Sequence, residues 1–255
     1  VIPAGGRARE SALNRLAVRF GQFVFARRNL LAPLVFALML LATRPRPFLG
    51  SERWDAVLDV VGILVAGAGQ ALRGLVIGLA YIRRGGKNKK IAADRLVCEG
   101  IFAHCRNPLY VGNFLLLTGI LLIWNSPWAY LVGLPLVAAA LMSMVLAEEA
   151  FLRQRFGVEY DEYCARVNRL VPRLRGLRET LASSSFDWRR VVRKDYGTTF
   201  TWISAILALI AVERLYWDGA GAAPALVALA AIWAAVATLW GFARAMKKTG
   251  RLRSV

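Results

Sequence analysis

Apolar positions run along this chain in long blocks rather than in strict alternation. Residues 107–147 contain no Asp, Glu, Lys or Arg. An unbroken helix of that length, at ~1.5 Å per residue, would reach about 60 Å, twice the ~30 Å hydrocarbon thickness of a bilayer. Asn125-Ser126-Pro127 places turn chemistry near its middle. The pattern therefore predicts two helices joined as a transmembrane hairpin. Residues 219–243 form another long uncharged run, and 196–212 a shorter one that extends toward Tyr216. Residues 29–43 continue through Phe48 and Leu49, and 60–82 are interrupted by Arg73. The expected fold is an all-α, polytopic transmembrane helix bundle of about six spans, the second the least regular.

Outside these blocks the periodicity becomes amphipathic. Residues 10–28 place Leu13, Leu16, Ala17, Phe20 and Val24 at helical spacing, with Arg15 and Arg19 off that stripe. This predicts a helix lying on an anionic leaflet. A second amphipathic stretch follows the central hairpin, where Gly157 ends one helix and Pro172 stops the next. Five segments result: an interfacial segment 1–28, two spans in 29–94, a core 95–172, a basic linker 173–197 and a C-terminal hairpin 198–255.

Composition sharpens the picture. The 255 residues are 57 % hydrophobic with a mean hydropathy of +0.46, yet 34 Lys+Arg against 16 Asp+Glu give a net charge of +18. On the six-span reading, Arg44, Arg46 and Arg53 are the basic residues of the three loops on one side, and most of the remainder lie on the other. The positive-inside rule then puts both termini in the cytoplasm, as expected for an integral protein of a bacterial inner membrane. Topology accounts for the charge, so no nucleic-acid partner is expected. Three cysteines without a CxxC pair exclude a zinc ribbon, and the single His104 excludes a multi-histidine metal site. No metal is expected.

Candidate chemistry lies in two segments that flank the hairpin on the basic side. The first is Glu99-Gly100-Ile101-Phe102-Ala103-His104-Cys105-Arg106-Asn107-Pro108-Leu109-Tyr110-Val111-Gly112. Asn107 reads as an N-cap with Pro108 at the first helical position, and the resulting helix start, beside Arg106, favours an anion. The second begins with Glu148-Glu149, two carboxylates that close the uncharged run, and continues through Gly157, Tyr160, Tyr163, Arg166 and Arg169. Neighbouring helical residues point ~100° apart, so the two glutamates should have different partners. Within the second span, Gln70 and Arg73 are costly in lipid; they either line a polar cavity or pair internally with Asp59 or Glu213, and internal pairing is favoured. His104 reads as a surface or capping residue, and Cys105, beside Arg106, as incidental.

Together, Arg106-Asn107-Pro108-x-Tyr110-x-Gly112, a membrane hairpin, and Glu148-Glu149-x-x-Leu152-x-x-x-Phe156-Gly157-x-x-Tyr160-x-x-Tyr163 with Pro172 resemble the isoprenylcysteine carboxyl methyltransferase family. The phospholipid N-methyltransferases share a similar arrangement. The resemblance covers residues 95–172. Asn107 stands where the eukaryotic prenylcysteine enzymes carry histidine, which makes this segment more like the phospholipid methyltransferases and bacterial members of the group.

The resemblance implies S-adenosylmethionine as methyl donor and a hydrophobic or lipid acceptor, methylated at the cytoplasmic face. It implies cofactor binding by Gly100, Phe102, Asn107, Pro108, Tyr110, Gly112, Glu148, Glu149, Tyr160 and Tyr163. The catalytic candidates are Glu149 as base, and Arg106 and Arg166 to orient an acidic acceptor or phosphate head group. Membrane sterol and steroid reductases, which use NADPH, are the competing reading, and a non-catalytic lipid-binding scaffold is another. Membrane lipids are the expected surroundings. A homodimer contact is one of the roles open to the C-terminal hairpin.

Overall fold

The computed structural model describes residues 12–80, 84–87 and 90–252; residues 1–11 of the expected interfacial segment lie outside the described residues. Among the described residues eight α-helices carry the fold: α1 (Ala12–Ala42), α2 (Glu52–Leu79), α3 (Pro108–Trp124), α4 (Leu134–Phe156), α5 (Val158–Arg166), α6 (Leu177–Ser183), α7 (Trp188–Asp218) and α8 (Ala223–Lys248). A short antiparallel pair, Arg84–Lys87 with Lys90–Ala93, follows α2. The architecture is an all-helical bundle.

Four runs are long and apolar enough to cross a membrane: Asn14–Ala42, Glu52–Leu79, Ala129–Phe156 and Trp188–Lys248. The last contains both α7 and α8, and Pro108–Trp124 is a shorter apolar helix. These make six apolar helices among the described residues, in line with the hydropathy pattern. Their outer surface is itself apolar. Leu30, Leu34, Leu38 and Leu41 of α1 are exposed, as are Val227, Ile232, Leu239 and Phe242 of α8. Such a surface suits lipid rather than water.

Helix boundaries depart from the sequence pattern in several places. Helix α1 ends at Ala42 and does not run on through Phe48 and Leu49, which form a separate 3₁₀ turn. Helix α5 stops at Arg166, ahead of Pro172, where Arg106 takes the carbonyls of Cys164 and Val167. Helix α1 continues unbroken past residue 28, with Pro33 inside it, so the amphipathic stretch and the first span are one element. Residues 188–197, expected in the basic linker, are the first turns of α7, which Asp187 caps by accepting from Arg190 N at 2.9 Å.

The predicted hairpin is present, and Asn125 makes its turn. It closes α3 in the left-handed region at φ 38°, which Asn tolerates better than most residues. Its Nδ2 donates to Arg46 O at 2.7 Å and to Asp55 Oδ1 at 3.0 Å. The α3–α4 turn is thereby tied to the linker before α2.

Small residues set the approach of α2 to α3. A Cβ on Gly69 would lie 2.6 Å from Gly112 O, and one on Gly62 would lie 2.8 Å from Gly119 O. The two helices therefore touch backbone to backbone. The other glycines of α2 differ: a Cβ on Gly78 would lie 2.2 Å from the Phe186 ring, one on Gly74 would make only ordinary contact with Val191, and one on Gly67 would meet nothing within 4 Å.

Candidate active site

Gly100 begins the approach to the site. Its φ of 59° lies in the left-handed region and starts the 3₁₀ turn Gly100–Ala103, which carries Phe102 inward. Residues 104–107 then run against residues 164–173. Arg106 N donates to Asn168 O at 3.0 Å and Arg173 N to His104 O at 2.9 Å. His104 is buried, with Nδ1 2.6 Å from Arg173 O and Nε2 2.9 Å from Thr180 Oγ1. It is therefore an internal strut between the motif loop and α6, not the surface or capping residue the sequence suggests. Cys105 is buried as well, and its thiol donates to the carbonyls of Arg169 and Leu170. Burial pushes its pKa up, against smaller opposing effects of the Asn107 backbone and Arg106. The neighbouring arginine does not make it a reactive thiolate.

The two adjacent glutamates diverge as helix geometry requires. Glu149 is 2 % exposed and sits between two arginines. Arg106 meets Oε1 through Nε at 3.2 Å and Nη2 at 3.1 Å, while Arg169 meets Oε2 through Nε at 3.0 Å and Nη2 at 2.9 Å. Arg106 Nη1 also donates to the carbonyls of Cys164 at 3.0 Å and Val167 at 2.8 Å. One carboxylate thus holds the start of α3, the end of α4 and the segment after α5 together. Glu148 turns to another surface, where Tyr110 donates its hydroxyl to Oε1 at 2.9 Å.

Asn107 departs from its expected role. It precedes α3, but its side chain makes no capping bond. Its Nδ2 donates instead to Glu149 Oε1 at 3.0 Å and to Arg169 O at 3.3 Å, leaving a buried Oδ1 without a partner. The helix start is held through tertiary contacts.

A cavity of about 440 Å³ opens beside these groups. That volume is in the range of small-molecule sites, ~300–1,000 Å³. Phe102, Arg106, Asn107, Pro108, Tyr110 and Glu148 line it, all of them foreseen from the sequence. The other foreseen residues sit elsewhere. Gly112 packs on α2, where a Cβ would meet Arg73 Cγ at 2.7 Å. Glu149 lies behind the cavity wall, and Gly100 is exposed at the start of its turn. Tyr160 and Tyr163 are buried in a cluster with Ala93, Leu152 and Val167, from which Tyr163 donates to Phe102 O at 2.7 Å. Arg166 is exposed on α5 and donates to Glu162 O at 3.3 Å, away from the cavity.

Sequence reasoning did not find the rest of the wall. Phe25, Arg28, Asn29 and Ala32 of α1, Asn113 and Met144 of the hairpin, and Thr198 of α7 also line the cavity. Arg28 lies over the Phe25 ring at 4.3 Å. Arg73 lines the cavity, one of the two roles its position in the second span allows, and it is also paired internally, though with other partners than Asp59 or Glu213. It bonds Asp195 of α7 and Asn113, and Gln70 Nε2 reaches the same Asp195 at 2.7 Å. Asp59 and Glu213 are not involved.

The fold is thus a helical bundle with membrane-length apolar helices and a polar cavity at one end of its central hairpin. The family model for phospholipid methyltransferase matches residues 64–159, which include α3, α4 and most of the polar cavity wall. The matched segment thus bears out the resemblance to the membrane methyltransferases. No curated protein and no solved structure matches the chain.

Proposed function

We propose that this chain is an S-adenosylmethionine-dependent methyltransferase that acts on a lipidic or hydrophobic acceptor at the cytoplasmic end of the bundle. The carrying observation is the convergence of Glu148, Tyr110 and Asn107 on one cavity inside the matched segment. The donor set suits the methyl donor. Glu148 offers a carboxylate to an ammonium, and the partnerless Oδ1 of Asn107 offers an acceptor to an N–H or hydroxyl. Phe25, Phe102 and Tyr110 give the cavity aromatic surface, which favours a sulfonium or an adenine ring. When bound, the donor supplies an electrophilic methyl group.

The remaining roles belong to the protein's own residues. Arg106 and Glu149 act as positioning residues, since their mutual pairing fixes Asn107 and the start of α3. Arg28, exposed at the cavity, suits an anionic group of the acceptor. Helices α1 and α7 supply the rest of the wall, and a walled site makes alignment of donor and acceptor more effective. Arg166 has no part in this reading. The cytoplasmic assignment is supported by the basic loops that flank the motif segments.

The test uses purified protein, labelled methyl donor and native membrane lipid extract, with the labelled product then identified. Label should move to a hydrophobic product, and S-adenosylhomocysteine should bind in preference to NADPH. Binding of NADPH without binding of S-adenosylhomocysteine would replace this reading with a reductase.

A further inference from the structure

At the far end of the bundle from the active-site cavity, three carboxylates converge. Asp55 and Asp59 stand one turn apart near the start of α2, and Glu213 comes from the last turns of α7. One oxygen from each lies within 4.8 Å of the other two. Asp55 and Glu213 are each 1 % exposed. Asp55 Oδ1 accepts from Phe48 N at 3.0 Å and from Asn125 Nδ2 at 3.0 Å, but Oδ2 has no partner, and neither has Glu213 Oε1. Among the described residues no arginine or lysine forms an ion pair with any of the three. Arg214, the residue beside Glu213, is 3.7 Å from Asp218 instead.

Buried carboxylates this close repel one another and have lost their hydration, and a cation bound among them would relieve both costs at once. The two partnerless oxygens are free to accept it. All the donors are hard oxygens, with no sulfur and no imidazole, which excludes soft-metal chemistry and favours an alkaline-earth ion. Three protein carboxylates on one ion suit calcium, which takes six to eight oxygen ligands in flexible geometry, better than magnesium, which dehydrates reluctantly and is usually held by one or two carboxylates with several waters.

We propose that Asp55, Asp59 and Glu213 bind a single divalent cation of calcium size. The cation joins α2 to α7. Through Asp55 it also reaches Phe48 in the linker and Asn125 in the α3–α4 turn. It is therefore a staple that holds the C-terminal hairpin against the rest of the bundle. All three ligands lie outside residues 64–159, so the site stands independently of the methyltransferase reading.

The full chain, in non-ionic detergent and stripped with a chelator, would be titrated with calcium chloride and separately with magnesium chloride. Equilibrium dialysis with radioactive calcium gives stoichiometry, and thermal unfolding gives the effect on stability. One calcium per chain is expected, with a Tm that rises with calcium concentration. Asp59→Asn, at the half-buried member, should weaken calcium binding about tenfold or more and remove the Tm shift. Glu213→Gln should do the same; if it fails to fold, the Asp59→Asn result decides. Absence of bound calcium in the wild type would overturn the proposal and leave the trio sharing protons. Calcium binding that survives Asp59→Asn, or binding of magnesium but not calcium, would overturn it as well.

Discussion

Arg106 and Glu149 form a buried ion pair, with Nε and Nη2 of the arginine 3.2 and 3.1 Å from one carboxylate oxygen. The second oxygen belongs to Arg169. Removing one member of such a group leaves a charge buried without compensation, a loss of ~3–5 kcal/mol. Glu149→Gln should therefore lower the Tm strongly and abolish donor binding through the fold. Glu148→Gln keeps an acceptor for Tyr110 and should weaken donor binding while costing about 1 kcal/mol or less. Thermal unfolding alongside S-adenosylhomocysteine binding separates the two. Equal loss of Tm in both variants would contradict the division of labour between these neighbours.

The α2–α3 seam yields a second comparison. Gly69→Ala would press a methyl group against Gly112 O at 2.6 Å, a backbone atom that cannot turn aside. Overpacking of this kind costs ~1–3 kcal/mol. Gly67→Ala meets nothing within 4 Å and removes a flexible residue from mid-helix, so it should be neutral or stabilising by up to ~1 kcal/mol. Denaturation in detergent should rank the variants Gly67→Ala, wild type, Gly69→Ala in falling stability.

Thiol chemistry gives a pH-dependent expectation. Burial raises the pKa of both Cys98 and Cys105 above the ordinary 9.0. In the folded chain both should react with iodoacetamide more slowly at pH 7.5 than a free thiol, Cys105 slowest because it is fully buried. The unfolded chain releases these protons first as the pH passes 9.0, so stability should fall with rising pH from that point. Mass-spectrometric alkylation time courses with and without denaturant would check the order. Rapid labelling of native Cys105 would contradict it.

Asp195 anchors α7 to the cavity wall through Arg73 and Gln70. Asp195→Ala leaves Arg73 without its carboxylate in a largely buried position, a loss of ~3–5 kcal/mol. Cavity residues on α2 and α7 should loosen together, and acceptor methylation should fall even where S-adenosylhomocysteine still binds. Asp195→Asn should retain more activity than Asp195→Ala, since the amide oxygen still accepts a hydrogen bond. Equal activities in these two variants would argue against an anchoring role.

The legible part of the site is the part written locally. Uncharged length and the Asn125 turn disclose the hairpin, and the hairpin returns Glu148 and Glu149 to the end of the bundle where Arg106 and Asn107 begin α3. What each glutamate binds follows from the ~100° between successive side chains. Long-range partners left no such mark. His104 reads as a surface residue because Arg173 and Thr180, which bury it, are 69 and 76 residues away. Arg28, Asn29 and Thr198 belong to no motif and reach the cavity only through packing of α1 and α7. The pairing of Arg73 with Asp59 or Glu213 fails on geometry, because Asp59 lies about 20 Å from Arg73 along α2 at ~1.5 Å per residue. Asp195 lies level with Arg73 on another helix, 122 residues later in the chain.

Two helices in backbone contact through Gly62, Gly69, Gly112 and Gly119 move as one plank, because any parting would open a gap that no side chain is long enough to fill. The plank forms one stretch of the cavity's boundary. Of the other helices in that boundary, α1 is seated on α4 just as closely, with Gly21 against Ser143 O, which leaves α7, tied by Asp195 to Arg73, as the one stave without a glycine seam.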